Sequence, residues 1–296
     1  EEDDFLPVAE SSTTAEGRLC CNCVLIDHTR SRQGVWYGAF RRAEEALEAI
    51  RQGKSCEEES RHVLEELLRT AITRDPRMLE LMQQYVTIED VLAVGRRIIG
   101  TGLIGGKAIG MLLARAILKR TDPQWAETLE THDSFYVGSD VFYSFLVRNG
   151  LWWESQKHHD PEQFLQDPQL FWREMEHVRQ RIVVGAFPDP IRAQFQSMLD
   201  YFGQSPIIVR SSSLLEDNFW DPGYGTEASI FLANQGSREQ RLHDFLSAVR
   251  TIYASTMSEE ALSYRARRGM LAGDEQMALL VQRVSGAVQD KLFFPH

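Results

Sequence analysis

The sequence predicts an α+β fold, on three observations. Apolar residues recur at helical spacing through most of the first ninety residues and again from residue 152 to residue 178. Two apolar runs, Ile207–Val209 and Met277–Val284, are short, and the first is wholly β-branched, as buried strands tend to be. Between these regions a glycine-rich segment, Gly100 to Gly110, opens onto a further helical pattern.

The elements follow in order. Ser11 to Glu16 is polar and reads as loose chain, and Val35-Trp36-Tyr37-Gly38-Ala39-Phe40 reads as a short strand or a docking patch. Val63, Leu64, Leu67, Leu68, Ala71 and Ile72 form one helical stripe, and Met78, Leu79, Met82 and Tyr85 form another after Pro76. Thr87 with Asp90 makes a capping box, opening a helix through Val91, Leu92, Val94 and Ile98 that runs directly into the glycine segment. Ile109, Leu112, Leu113, Ala116 and Ile117 then keep the spacing of an amphipathic helix, which places Lys107 in or just before its first turn. Trp152, Trp153, Phe164, Leu165, Phe171, Trp172, Met175 and Val178 read as packing residues of helices, with His158 and His159 in a loop. Phe187-Pro188-Asp189-Pro190 ends one helix and starts the next through Ile191 and Phe195. Leu242, Phe245, Leu246, Val249, Ile252 and Tyr253 mark a last helix before the Met277–Val284 strand.

Two segments carry chemistry. In Pro206 to Asp217 the Ile207–Val209 run ends in Arg210, three serines, Glu216 and Asp217, as a core strand does when it projects Arg210 and Ser211 into a cleft. An arginine fork grips phosphate oxygens through two parallel charge-assisted hydrogen bonds; the alternative is a surface-loop arginine paired with Glu216 or Asp217. The second segment sets Lys107 at a helix start, where a cation opposes the helix dipole and so needs another reason to be present. Glycines admit a close ligand and the helix amides point outward, so lysine would complete an anion site; the alternative is a flexible turn with a solvated lysine.

Known nucleotide fingerprints fit poorly. Thr101 stands where a Walker A motif needs its first glycine, and Ala108 follows Lys107 where that motif has a hydroxyl. Gly100, Gly102 and Gly105 match G-x-G-x-x-G, but the residues upstream read as helix, and Thr121 to Asp133 is too polar for the second Rossmann strand. Taken together, Ile104-Gly105-Gly106-Lys107-Ala108, Ser134-Phe135-Tyr136-Val137-Gly138-Ser139-Asp140-Val141-Phe142 and Val209-Arg210-Ser211-Ser212-Ser213 with Glu216-Asp217 resemble another pattern. They are similar to the PEP/pyruvate-binding, ATP-grasp-like domain of the phosphoenolpyruvate synthase and pyruvate phosphate dikinase family, which also occurs in rifampin phosphotransferase and glucan dikinases. Tyr253-Ala254-Ser255, Tyr264-Arg265 and Val281-Gln282-Arg283-Val284 fall in the family's order, so the resemblance covers most of Gly102 to Gly286.

The resemblance implies an ATP-grasp-like domain over residues 91–296, incomplete at its C-terminal end, behind a helical extension over residues 1–90. It implies that Lys107 and Arg210 hold the ATP phosphates and do the catalytic work, that Gly225 and Ser229 belong to a phosphate loop, and that Gln282 and Val284 line the adenine pocket. Asp221-Pro222-Gly223-Tyr224-Gly225-Thr226-Glu227 departs from the family's usual stretch, which leaves the register at Ser229 open by a residue. Mg2+ is implied with ATP, but its ligands lie in the family beyond the hinge and no residue here is assigned to it. The implied activity is phosphoryl transfer from ATP to a phosphohistidine carrier domain and on to pyruvate or a related acceptor. No segment resembles that carrier or a pyruvate-binding barrel. The rival expectations are a non-catalytic nucleotide-binding regulatory module and a protein-interaction module working through its N-terminal helices.

Composition narrows the partners. A net charge of −11 argues against a nucleic-acid or anionic-membrane surface, no apolar run approaches a membrane span, and Glu1-Glu2-Asp3-Asp4 is unlike a signal peptide, so a cytoplasmic location is expected. A homodimer is left open. Cys20, Cys21, Cys23 and Cys56 are expected as reduced thiols; zinc would need a second cysteine pair, and only His28 lies near as a nitrogen donor.

Overall fold

The computed structural model describes residues 34–54, 56–122, 124–129, 133–156, 168–214, 228–269, 276–289 and 292–295. Gly225, Glu216, Asp217, Cys20, Cys21, Cys23, His28, His158, His159, Phe164, Leu165 and the Ser11–Glu16 stretch lie outside these residues.

Four helices come first: α1 (Val35–Arg51), α2 (Glu57–Ala71), α3 (Pro76–Tyr85) and α4 (Ile88–Gly95). Their ends follow local chemistry. The Cys56 thiol accepts from the Glu59 amide at 3.3 Å to cap α2, whose first turn holds Glu57, Glu58 and Glu59, all favourable at the positive end of the dipole. Asp75 caps α3 at the Arg77 and Met78 amides, with Pro76 pre-set for the first helical position. The expected capping box is present: the Asp90 amide donates to Thr87 Oγ1 at 3.2 Å and the Thr87 amide to Asp90 Oδ2 at 3.0 Å.

Three expectations change here. Val35–Phe40 is the first part of α1, where Trp36, Ala39, Phe40 and Ala43 recur at helical spacing on the buried face. Helix α4 stops at Gly95, and Ile98–Ile99 is a short strand, β1, instead of the helix's last turn. Trp153 is 77 % exposed and takes no part in the core, although Phe171, Met175 and Val178 do.

Beyond β1 come α5 (Gly106–Thr121), α6 (Gln124–Thr128), β2 (Ser134–Val137), α7 (Ser139–Arg148), α8 (Trp152–Gln156), α9 (Pro168–Val184) and α10 (Asp189–Phe202). Strands β3 (Ile207–Ser213) and β4 (Ser229–Leu232) precede α11 (Arg238–Ser255) and α12 (Glu259–Arg267), and β5 (Met277–Arg283) leads to a hairpin of β6 (Gly286–Gln289) and β7 (Leu292–Pro295). The main sheet has the order β1-β2-β5-β3-β4, with β1 parallel to β2 and the other pairs antiparallel.

Alternation along the strands divides the side chains between two cores. Phe135, Val137, Ile207, Val209, Leu279 and Val281 pack on one face against α7, α9, α10 and α11. Ile98, Tyr136 and Leu280 face the other way, into a core shared with α1 to α5. The N-terminal helices therefore rest on the sheet through α5, the helix that follows the glycine segment.

Candidate nucleotide site

Glycine decides how α5 meets the sheet. Gly105, just before the helix, has φ +76°, and a Cβ there would lie 1.7 Å from the Ser212 carbonyl oxygen. Only a residue without a side chain lets the loop press onto β3 at this point. Ser212, fully buried, fastens the contact: its hydroxyl accepts from the Ala108 amide at 3.2 Å and donates to the Ile104 carbonyl at 2.9 Å. With the helix start held there, Lys107 Nζ donates to the Ser211 carbonyl and hydroxyl, each at 3.1 Å.

Lys107 thus reaches the residue next to Arg210. The strand does not end at this pair as expected: β3 continues to Ser213, and Arg210 lies in its middle, between Leu280 of β5 and Ser229 of β4. Cross-strand partners share a face, so Arg210 and Ser229 stand side by side. Gln282, two residues beyond Leu280, is on that face as well. This is the face that α5 covers, since Gln282 Nε2 meets Met111 Sδ of α5 and Ser134 Oγ of β2, both at 3.3 Å. Ser229 is exposed, while Arg210 Nε is buried without a hydrogen-bond partner among the described residues. Val284 sits past the end of β5, its amide donating to the Pro206 carbonyl at 3.0 Å. Gly225 cannot be placed with this group, because it falls outside the described residues.

Asp140 holds the other end of the glycine segment, a role not visible in the motif. From the first turn of α7 its carboxylate accepts from the Gly102 amide at 2.7 Å and from Thr101 Oγ1 at 3.3 Å. A Cβ on Gly100 or Gly102 would fall 2.5 Å from Asp140 Oδ1 or its backbone nitrogen, so the loop and this helix start fit only as glycine against acid. Burial pushes the Asp140 carboxyl up, against the amide hydrogen bonds that favour its charge. The sequence signal was an acid in the first turn of a helix opening at Gly138-Ser139, but nothing local ties it to a loop 38 residues earlier.

The arrangement offers two cations, a row of hydroxyls and an amide side chain at the junction of a glycine loop, a helix start and a strand. A family model, that of the pyruvate phosphate dikinase AMP/ATP-binding domain, matches residues 101–290. The chain belongs to this family. No curated protein matches the sequence. The match to the AMP/ATP-binding domain begins at Thr101, in the loop that Asp140 holds, and spans Lys107, Arg210, Ser229, Gln282 and Val284. Among the described residues of this AMP/ATP-binding domain no cluster of three His, Cys, Asp or Glu side chains could hold a metal ion, and no helix is long and apolar enough to cross a membrane.

Proposed function

We propose that this chain is the ATP-binding part of a phosphotransferase of the phosphoenolpyruvate synthase and pyruvate phosphate dikinase type, with an ATP-grasp-like fold. The observation that carries the reading is the meeting of Lys107 with β3 beside Arg210, whose buried Nε has no partner among the described residues. A buried guanidinium nitrogen left without an acceptor is costly, and a phosphate oxygen would satisfy it. Membership of an AMP/ATP-binding family names the ligand class.

In this reading Lys107 and Arg210 grip the phosphates and neutralise the charge that builds up on the transferring phosphoryl group, a reaction in which positioning and charge compensation supply most of the rate. Ser229 and Gly225 bind phosphate oxygens, and Gln282 with Val284 lines the adenine. The phosphoryl group passes to a phosphohistidine carrier domain and then to pyruvate or a related acceptor. Mg2+ accompanies ATP, but no described carboxylate cluster fits it and no step is assigned to it.

Calorimetric titration with ATP tests this. Charge-assisted hydrogen bonds contribute roughly 1.5–3 kcal/mol, so Lys107→Ala and Arg210→Ala should each weaken binding by about tenfold or more while leaving the circular dichroism spectrum unchanged. Equal affinities in the wild type and both variants would remove the proposed roles.

A further inference from the structure

Between α3, α4 and the second half of α5 lies a cleft of about 680 Å3, in the size range of small-molecule sites. Neither Lys107 nor Arg210, Ser229, Gln282 or Val284 lines it, so it is separate from the candidate nucleotide site. Its walls are apolar, with Val91 of α4 facing Leu112 of α5, but four cations surround them against a single carboxylate, Asp90. Asp90 is already committed to the Thr87 amide and hydroxyl. In a chain of net charge −11, such a concentration of positive charge is local and needs a cause.

Two of the cations are occupied. Arg97 pairs with Asp133 at 2.6 Å and donates to the Tyr201 hydroxyl at 2.8 Å, while Arg120 donates to the Gln84 carbonyl and lies over the Tyr85 ring. Arg115 and Lys119 point the charge outward from one helix, four residues apart, and Lys119 is exposed with no ion pair to any described residue.

The second, independent observation is Tyr136. It lines the cleft from β2 and is 1 % exposed, yet its hydroxyl is buried with no hydrogen-bond partner among the described residues. Buried polar atoms are nearly always satisfied, and an orphan costs about 1–3 kcal/mol. Burial pushes this phenol up, with Arg97 and Arg115 pulling the other way, so it stays a neutral hydroxyl within the field of both arginines.

We propose that this cleft binds a small amphipathic organic anion, its apolar body between Val91 and Leu112, a polar atom on the Tyr136 hydroxyl and its acidic group between Arg115 and Lys119. The acidic group can be a carboxylate or a phosphate. The proposal is independent of ATP binding.

The test uses 8-anilinonaphthalene-1-sulfonate, an apolar fluorophore carrying one sulfonate, titrated into the full chain. Saturable binding is expected that Lys119→Glu weakens about tenfold and Tyr136→Phe about threefold, in line with one charge contact and one hydrogen bond lost. Lys119 is exposed and Tyr136→Phe keeps the ring, so both variants should fold, which thermal melts check. Decanoate and decyl phosphate should displace the probe, the better of the two naming the acidic group, and ATP should not. Unchanged affinity in both variants, equal displacement by decylamine, or displacement by ATP overturns the proposal.

Discussion

At the scale of single residues, the glycines of the 100–110 segment do different jobs, and the difference can be measured. Gly105 stands at φ +76° with β3 backbone where its side chain would be, so Gly105→Ala must push α5 off Ser212 and draw Lys107 away from Ser211. The strand backbone cannot yield as a flexible side chain could. We expect a loss of more than about 2 kcal/mol in urea unfolding together with loss of ATP binding. Gly110, one turn further on, is exposed and a Cβ there meets nothing within 4 Å. Gly110→Ala should instead stabilise by about 0.5–1 kcal/mol, the difference in helix propensity, and leave ATP affinity alone. A Gly105→Ala variant as stable as wild type would contradict the docking of the helix start on the strand.

At the scale of elements, one carboxylate ties four of them together. Asp133, just before β2, takes Arg97 at 2.6 Å, Arg283 of β5 at 2.8 Å and the Tyr201 hydroxyl of α10 at 2.9 Å. Its burial pushes the carboxyl up, but hydrogen bonds from Arg283, Arg97 and Tyr201 together outweigh this and hold it below its ordinary value. A depressed folded value means that the stabilisation is present above the unfolded value, near 3.9, and is lost as pH falls through the folded one. Asp133→Asn should therefore cost about 1–3 kcal/mol in urea at pH 7, because two half-buried guanidiniums lose their counter-charge. The gap between variant and wild type should hold down to about pH 5 and close in more acid solution; a gap independent of pH would rule the ion pairs out as its source. Asp133 also shows where reading the sequence stops. Its partners lie 36, 68 and 150 residues away, so no local pattern reveals them, whereas the Thr87–Asp90 box and the Pro76 helix start are complete within a few residues and were legible. The aromatic run Val35–Phe40 imitates a strand because its helical period shows only when Ala43 is included, and Ile98 joins a strand only through pairing with Tyr136. At the site, Lys107 and Arg210 stood out as a motif. Ser211, Ser212 and Asp140 gain their roles from contacts across 104 residues or 38 residues, which spacing cannot encode.

At the scale of the whole molecule, the sheet is a shared wall. Phe135 and Val137 of β2 enter one core while Tyr136 between them enters the other, and Leu280 of β5 is likewise set between Leu279 and Val281. Neither layer can leave without exposing one side of the same two strands. The first four helices should consequently unfold with the rest, although the sequence presents them as an extension. Leu67 of α2 is fully buried in the helical layer, far along the chain from α11 on the opposite face. Leu67→Ala should leave a cavity that costs about 2–5 kcal/mol. Native-state hydrogen exchange read by mass spectrometry then separates the possibilities. With a shared wall, the most protected amides of α2 and of α11 lose the same free energy of opening in the variant, because both exchange only when the sheet opens. A variant in which α2 loses protection and α11 keeps it would mean that residues 35–95 form a unit of their own, leaving Lys107 and Arg210 to be held by the sheet and α5 alone.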